Sequence, residues 1–495
     1  MRKIIPAISC IIISACAGST WTTEWEGKPA DFSRGELQVS ENHRYLQYAD
    51  GSPFFYLGDT AWELFHRLDR KDAEIYLRDR ASKGFSVIQA VALAELDGLT
   101  VPDPYGFLPL EGLDPSHPSV KEGPDNDYWD NVDYIIHLAN RLGMYVGLLP
   151  TWGRYWHDAI PENGGRPVFN ADNALEFGRF IGGRYKDCRI IWILGGDRSI
   201  DSPEQYQIIR AMAEGIREGA GEGQLVTFHP SGTHGSAEWF HDAEWIDFNM
   251  RQNGHSPEYT GLYDKTLTDY MREPPKPVID GEPLYEDHPI GFHPERYGHS
   301  TAADVRRQFY WDVFNGAFGH TYGHHSIWQF YEPDKDRTAP NFPLMSWKEA
   351  LEQPGSIQMM HGRRLMESRP AGERIPDTTI IVPGRVPTSV PGAGRYRFAA
   401  TRDSDSTYAM VYVPAGRRFT VRTDMIRGDR LKIWWYNPRT GEPDAGNVLD
   451  NRGLIHFTPP EPGEDTDWVL VIDDAASGYP PPGERLPHRD TGPVR

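Results

Sequence analysis

The chain has 495 residues, 39% hydrophobic, 25% charged and 12% aromatic, which is enough for two or three domains and excludes disordered, collagenous and multispan membrane architectures. Asp and Glu total 71 against 51 Lys and Arg, a net charge of -20 that repels a phosphate backbone, so no nucleic acid partner is expected. The 15 Trp and 24 Tyr supply flat apolar faces of the kind that stack on sugar rings, although aromatic cores draw on the same residues.

The first element in chain order is an export signal. Met1-Arg2-Lys3 is a basic start, Ile4 to Ile13 is apolar, and Ser14-Ala15-Cys16 is a small-residue cleavage site. Residues 1–15 therefore read as a signal peptide. The Ile-Ser-Ala-Cys run resembles a bacterial lipobox, which makes Cys16 the expected lipidation site, with ordinary cleavage near Ala17 as the alternative. Such a protein is exported and lipid-anchored in the bacterial envelope, in the periplasm or on the outer membrane surface, and meets the membrane only through that anchor. With Cys10 removed and Cys16 acylated, Cys188 has no partner for an internal disulfide. Residues 16–35 read as a polar tether.

From Phe54 onward, short apolar runs alternate with amphipathic stretches, the pattern of repeated β-α units. Strands are expected at Phe54–Leu57, Val87–Val91, Tyr145–Leu149, Ile190–Leu194, Leu225–Phe228, Phe248–Met250, Val278–Ile279 and Ala317–Thr321. Helical periodicity falls between them, at Lys71–Lys83, Tyr128–Leu142, Asn173–Tyr185, Gln205–Glu218 and Ala302–Phe314. Eight such units predict an α/β fold, a (β/α)8 TIM barrel over residues 36–368. A doubly wound sheet is disfavoured because Gly58-Asp59-Thr60-Ala61-Trp62, and not a Gly-rich phosphate loop, follows the first strand. A helical connector, Ser346 to Ser368, leads to short alternating strands such as Tyr408–Val413, Leu431–Tyr436 and Trp468–Ile472. These predict a small antiparallel β-sandwich over 369–475. Residues 476–495, with Pro480-Pro481-Pro482, read as a Pro-rich tail that is disordered or draped over the surface.

In such a barrel the active site lies at the carboxyl ends of the strands, so the polar residues that end each apolar run are the candidates. They are Asp59 and Trp62 after the first strand, Gln89 in the second, Trp152 after the third, Asp197 and Arg198 after the fourth, and His229 after the fifth. Gln252 and His255 follow the sixth, Glu282 the seventh, and His324, His325 and Trp328 the eighth. Asp197 and Glu282 are the acids that directly terminate late strands. Two carboxyl groups on strands four and seven face each other across the mouth, as glycoside hydrolysis requires. Asp197 is then the general acid/base and Glu282 the nucleophile; the competing readings are a helix N-cap for Asp197 and a structural ion pair for Glu282. A retaining enzyme would hold their carboxyl carbons about 5 to 5.5 Å apart.

Gly195-Gly196 lets the backbone approach the sugar, and Arg198 either holds a substrate carboxylate or balances the two acids. Trp62, Trp152 and Trp328 are expected to wall the site, while Asp59, Gln89, His229 and Gln252 bind hydroxyls. His324 or His325 would bond a hydroxyl or orient Glu282. Zinc at His320, His324 and His325 is disfavoured by Gly319 and Gly323, so neither metal nor cofactor is expected. The segment from Asp103 to Asp127 reads as a long loop beside the site. No Gly-x-Ser-x-Gly elbow, Walker loop or His-Glu-x-x-His pair is present in the sequence.

Several motifs in order carry a resemblance: Phe55-Tyr56-Leu57-Gly58-Asp59-Thr60-Ala61-Trp62, Gly195-Gly196-Asp197, Asp280-Gly281-Glu282-Pro283 and Gly319-His320-Thr321-Tyr322-Gly323. Over nearly its whole length the sequence resembles the apiosidase-like bacterial hydrolases, glycoside hydrolase family 140 and its relatives, with their C-terminal domain bearing a collagen-binding label. The resemblance implies a retaining mechanism, with Asp197 as acid/base and Glu282 as nucleophile, and action on apiose linkages of the pectin rhamnogalacturonan II. The wider clan closes strand four with Asn-Glu where Gly196-Asp197 stands here, so the usual contact to the sugar 2-hydroxyl must come from elsewhere, with Gln89 or His229 as candidates. Nothing basic or repetitive in residues 375–475 suggests a collagen groove. The expected protein is a monomeric glycosidase acting on an oligosaccharide or polysaccharide. The alternatives are a noncatalytic glycan-binding lipoprotein, the same chemistry on another sugar, and a lyase or transglycosylase.

Overall fold

The computed structural model describes residues 24–257, 262–335, 337–382, 393–444 and 446–486. The signal peptide, Cys16 and residues 487–495 of the tail lie outside this set. Eight parallel strands form the first domain: β1 (Tyr56–Thr60), β2 (Val87–Leu93), β3 (Tyr145–Thr151), β4 (Ile190–Gly195), β5 (Val226–His229), β6 (Asn249–Arg251), β7 (Val278–Asp280) and β8 (Gly319–Tyr322). Six of them make one ladder in the order β5-β4-β3-β2-β1-β8, and β6 pairs with β7 in a second. Single backbone bonds cross the two seams, from Asp247 N–H to Val226 O (2.9 Å) and from Phe318 N–H to Val278 O (3.0 Å). The domain is TIM-like, with every strand residue buried on both faces, as parallel strands covered by helices must be.

Most strands run one or two residues past the apolar runs that predict them. Gly58-Asp59-Thr60 and Pro150-Thr151 are strand and not loop. Among the covering helices are α1 (Arg70–Ser82), α2 (Tyr128–Arg141), α3 (Ala171–Tyr185), α4 (Pro203–Ala220), α5 (Leu262–Tyr270), α6 (Ala302–Phe314) and α7 (Pro354–Glu367). Their starts are chemically marked: Asp127, Asn170 and Ser202 each take part in a reciprocal capping box, and Pro203 sits in the first turn of α4. Part of the loop after β2 is an antiparallel pair, Leu110–Glu111 with Asp114–Pro118. No helix among the described residues is long and apolar enough to cross a membrane.

The described part of the expected tether is packed, not free. Trp25 is buried, with the guanidinium groups of Arg363 and Arg485 each 4.1 Å from its ring, and its backbone N–H donates to Ser82 O. The Trp25 ring, flanked by cations on α7 and on the tail, ties the described N-terminal residues and Arg485 to the domain. The described tail residues therefore lie on the surface as far as Leu486. A three-stranded antiparallel sheet (Leu37–Val39, Leu46–Tyr48, Pro53–Phe54) covers the amino ends of the barrel strands, where Phe54 meets Tyr145 edge to face at 5.5 Å.

Past α7 all strand pairing is antiparallel. A seven-stranded sheet has Tyr408–Val413, Trp468–Asp474 and Arg430–Asn437 at its centre, and a three-stranded sheet pairs Ile381–Val382, Phe419–Arg422 and Leu454–Phe457. Alternation along one strand serves two interfaces. Ala409, Val411 and Val413 face the small sheet, while Tyr408, Met410 and Tyr412 face α6 and α7. Tyr412 stacks on Tyr310 of α6 at 4.7 Å. The buried pairs Arg306–Asp467 and Arg369–Asp473, each through two hydrogen bonds of 2.6 to 3.0 Å, join the domains.

Candidate active site

The end of β4 is shaped by backbone that only certain residues tolerate. Gly195 and Gly196 have φ of +93° and +99°, and a Cβ on either would lie 2.3 Å from His229 O or 2.7 Å from Gly153 N. Asp197 follows at φ +56°, a left-handed conformation that Asp enters more readily than most residues. Asp197 is thus not the cap of α4, whose cap is Ser202. The turn carries its carboxyl into the cleft, where 35% of the side chain stays open on the cleft side while protein surrounds the rest. Arg198 donates to Asp197 O (2.7 Å), lies 3.4 Å from its Oδ2 and is paired with Asp158 (2.9 Å), so it balances acids of the chain itself.

Glu282 is fixed from below. Asp280 Oδ1 accepts the backbone N–H groups of Glu282 and Asn253, each at 3.2 Å. Beside Asp280 lies Asp312, which accepts from Thr266 Oγ1 (2.9 Å) and has His320 Nδ1 3.0 Å away. Burial pushes both acids up to about 7, with the charge of Asp312 adding to the rise at Asp280, and burial pushes His320 down to about 4. The network ties the β7 end beneath Glu282 to the neighbouring strand end through hydrogen bonds from backbone N–H groups.

Two histidines flank the Glu282 carboxylate. His255 Nε2 is hydrogen-bonded to Oε1 at 3.1 Å, and His229 Nε2 lies 3.2 Å from Oε2. His229 Nδ1 accepts the Asp197 backbone N–H (3.2 Å), which leaves its hydrogen on Nε2, facing Glu282. One imidazole therefore links the two acid-bearing turns. His255 stacks on His288 at 3.9 Å and meets Tyr285 edge-on at 4.6 Å, so aromatic faces surround the ring that serves Glu282. Burial alone would raise Glu282, but its contacts with His229 and His255 reverse this and hold it well below the usual carboxylate range. Asp197 moves the opposite way, raised first by burial and then by the charge of Glu282. Pushing two neighbouring carboxyls apart in this way favours the protonated form of Asp197 and the ionised form of Glu282.

The structure rearranges several expected roles. Asp59 does not reach the mouth: its carboxylate points outward to α1, where Arg80 Nε (2.6 Å) and Tyr76 OH (2.5 Å) both donate to Oδ2 in a fully buried pair. Gln89 is fully buried, donating to Gly281 O (2.8 Å) and accepting from Tyr56 OH (3.2 Å), so it is held by the chain itself. His229 accepts the Asp197 N–H at Nδ1 and has Nε2 3.2 Å from Glu282 Oε2. His324 accepts the Ser326 N–H as the cap of a short helix, with burial pushing it down to about 3, and its nearest acid is Asp287 at 3.9 Å and not Glu282. His325 bonds Asn341 O.

Trp62 is a floor residue and not a wall. It is buried, donates to Tyr285 OH (3.2 Å) and packs on Trp152 at 5.3 Å. Trp152 and Trp328 are also buried, but the indole N–H of Trp152 meets no acceptor among the described residues, while that of Trp328 reaches His325 Nδ1 at 3.4 Å. Gln252 hydrogen-bonds the Asp197 carboxyl, and its Oε1 is buried without a partner among the described residues.

Sequence reasoning names His255 as a candidate after the sixth strand without assigning it a role, and does not single out Tyr285. Glu95, two residues past β2, was also passed over. Burial, then the charges of Asp197 and Glu63, push its carboxyl up to about 8, which makes it a third acid near the cleft.

A TIM-like domain with an acid at the end of β4 and another after β7 has the layout of a glycoside hydrolase. Residues 40–373 match the family model of the apiosidase-like catalytic domain, and the chain belongs to that family. Residues 375–473 match the model described as "Putative collagen-binding domain of a collagenase". No curated protein matches the chain in sequence. Among solved structures it is similar to a glycoside hydrolase at 36% identity and TM-score 0.80, over 90% of this chain and 98% of that one. It is also similar to a family 5 glycoside hydrolase from Bacteroides vulgatus ATCC 8482 at 34% identity and TM-score 0.82, over 93% and 98%. Family and neighbours together support a glycosidase.

Proposed function

We propose that this glycosidase is a retaining enzyme in which Asp197 protonates the leaving oxygen and Glu282 attacks the anomeric carbon. The opposed environments of the two carboxyls carry this reading: one is raised by burial and by its neighbour, the other held down between two imidazoles. Attack by Glu282 would form a glycosyl ester as the C–O bond to the leaving group breaks and the proton of Asp197 goes to the departing oxygen. Asp197, now ionised, would take a proton from the water that cleaves the ester. The Trp152 N–H and the Gln252 Oε1 would meet sugar hydroxyls, since both are buried polar atoms without partners among the described residues. The two strand ladders, bridged at both seams, would close as one eight-stranded barrel.

Membership of the apiosidase-like family favours an apiose linkage of rhamnogalacturonan II as substrate, and the N-terminal sequence favours export with a lipid anchor at Cys16. The decisive experiment incubates the wild type and Glu282→Gln with rhamnogalacturonan II oligosaccharides and a panel of plant and bacterial glycans. Released sugars are identified by mass, and the configuration of the first-formed product by NMR. Apiose released by the wild type only, with retained configuration, is the expected result. Another released sugar would replace the substrate, and an inverted product would replace the mechanism.

A further inference from the structure

The amino ends of the barrel strands carry a second feature. There the N-terminal sheet, the starts of β1 and β8, and the segment from α7 into the C-terminal sheet enclose a cavity of about 800 Å³. The five residues of β1 separate this floor from the mouth by roughly 15 Å, so the cavity is no part of the cleft that holds Asp197 and Glu282. Its size lies in the range that encloses small organic ligands.

The charge of its wall runs against that of the chain. Seven Lys and Arg line the cavity against three Asp and Glu, in a protein whose net charge is -20. Most of the lining arginines are answered by carboxylates: Arg34 by Asp31, Arg363 and Arg485 by Glu367, and Arg369 by Asp473. Arg44 and Arg374 are not, and neither has a carboxylate within 4 Å among the described residues. Arg44 lies 4.2 Å over the Tyr270 ring and donates to the Tyr270 carbonyl. Arg374 donates to the hydroxyl of Tyr408 (3.0 Å) and to the carbonyls of Met366 (2.8 Å) and Arg369 (3.2 Å). Two half-buried guanidinium groups beside a cavity thus have no carboxylate of the described residues against them, and guanidinium matches a carboxylate in planarity and donor spacing. Half-buried Tyr45 and Phe55 in the same wall add flat apolar faces that suit the C–H face of a pyranose.

We propose that this cavity binds an acidic oligosaccharide, with Arg44 and Arg374 holding its uronate carboxylates and Tyr45 and Phe55 its ring faces. Such a site would retain an acidic polymer at the floor of the domain while cleavage proceeds at the mouth. It is independent of the cleavage reaction.

The test uses full-length Glu282→Gln protein, so that nothing is consumed. Tetragalacturonate and neutral cellotetraose are titrated by calorimetry, and amide hydrogen exchange is followed with each. Tetragalacturonate is expected to bind and to slow exchange in residues 44–56 and 370–376, with affinity falling at 0.5 M salt, while cellotetraose leaves those segments unchanged. In the same background Arg44→Gln is expected to weaken binding about tenfold, and Arg44→Lys to weaken it less, with the melting temperature of each variant recorded. Absence of tetragalacturonate binding would overturn the proposal. So would protection confined to residues 152–158 and 197–200, or an affinity that Arg44→Gln leaves unchanged in a folded variant.

Discussion

The mouth of the TIM-like domain and the seam between the domains both bury charged groups, yet they finish them differently. At the seam, Asp467 receives two bonds from Arg306 and one from Tyr412, and Asp473 receives two from Arg369 and one from Trp434. At the mouth, Trp152 Nε1, Gln252 Oε1 and His255 Nδ1 are buried with no partner among the described residues. Leaving a buried polar atom unmatched costs about 1–3 kcal/mol, a cost that a ligand offering the matching group would remove at the mouth. The two seam acids are closed by donors of the chain itself, and these three mouth atoms are not.

Substitutions can break this contrast from either side. The largest effect is expected from Glu282→Gln, a loss in kcat on the order of 10⁴ to 10⁶, as for removal of a covalent nucleophile, with the melting temperature little changed. Asp197→Asn should cost about 10² to 10⁴ on natural glycosides and much less on an aryl glycoside, whose leaving group needs no proton. Comparing kcat on the two substrates checks it, and an equal loss on both would remove Asp197 as the acid. The raised Asp197 also predicts a wild-type rate that persists toward neutral pH and falls as this carboxyl ionises.

Breaking a seam contact should do the reverse. Arg306→Ala leaves Asp467 buried without its cation and is expected to cost about 3–5 kcal/mol in denaturant unfolding, with kcat at 25 °C unchanged. A smaller effect is expected for His255→Gln. Loss of a charge-assisted bond to Glu282 should lower kcat about 10- to 100-fold and move the acid limb of the pH profile upward, because a carboxylate with one imidazole fewer takes up a proton more readily.

The smallest effect concerns Asp280 and Asp312, held up at about 7 in the folded chain but titrating near 4 when unfolded. The stability they confer is complete below the unfolded value and is lost as pH rises to about 7. The buried neutral histidines His320 and His324, pushed down to about 4 and about 3, oppose this loss below pH 6.5, where the unfolded chain takes up protons that the folded chain refuses. The net fall is therefore expected between pH 6.5 and 8, on the order of 1 kcal/mol, and Asp312→Asn should flatten it in denaturant titrations at the two pH values.

Much of the architecture was legible in the sequence because apolar period and capping chemistry are local. The runs near Val87, Tyr145 and Ile190 gave strands, Ala302–Phe314 gave a helix with those bounds, and the positions of Asp197 and Glu282 at strand ends followed. The roles of Asp59 and Gln89 were not legible. In a strand buried on both faces, hydropathy does not say which residues point inward and which meet the helices. Register settles that, and Arg80, the residue that claims Asp59, lies 21 positions further on. The tether was misread for a similar reason: Trp25 is buried by Arg363 and Arg485, which no local pattern connects to it.

By itself the sequence determined a chain of β-α units, an antiparallel C-terminal domain and a pair of acids at the ends of the fourth and seventh strands, since each depends on neighbours within a few residues. Only the tertiary structure decided which acid is pushed up and which is held down. That difference comes from His229, His255 and burial, brought to Glu282 and Asp197 from strands distant in sequence and acting over a few ångströms of low-dielectric interior.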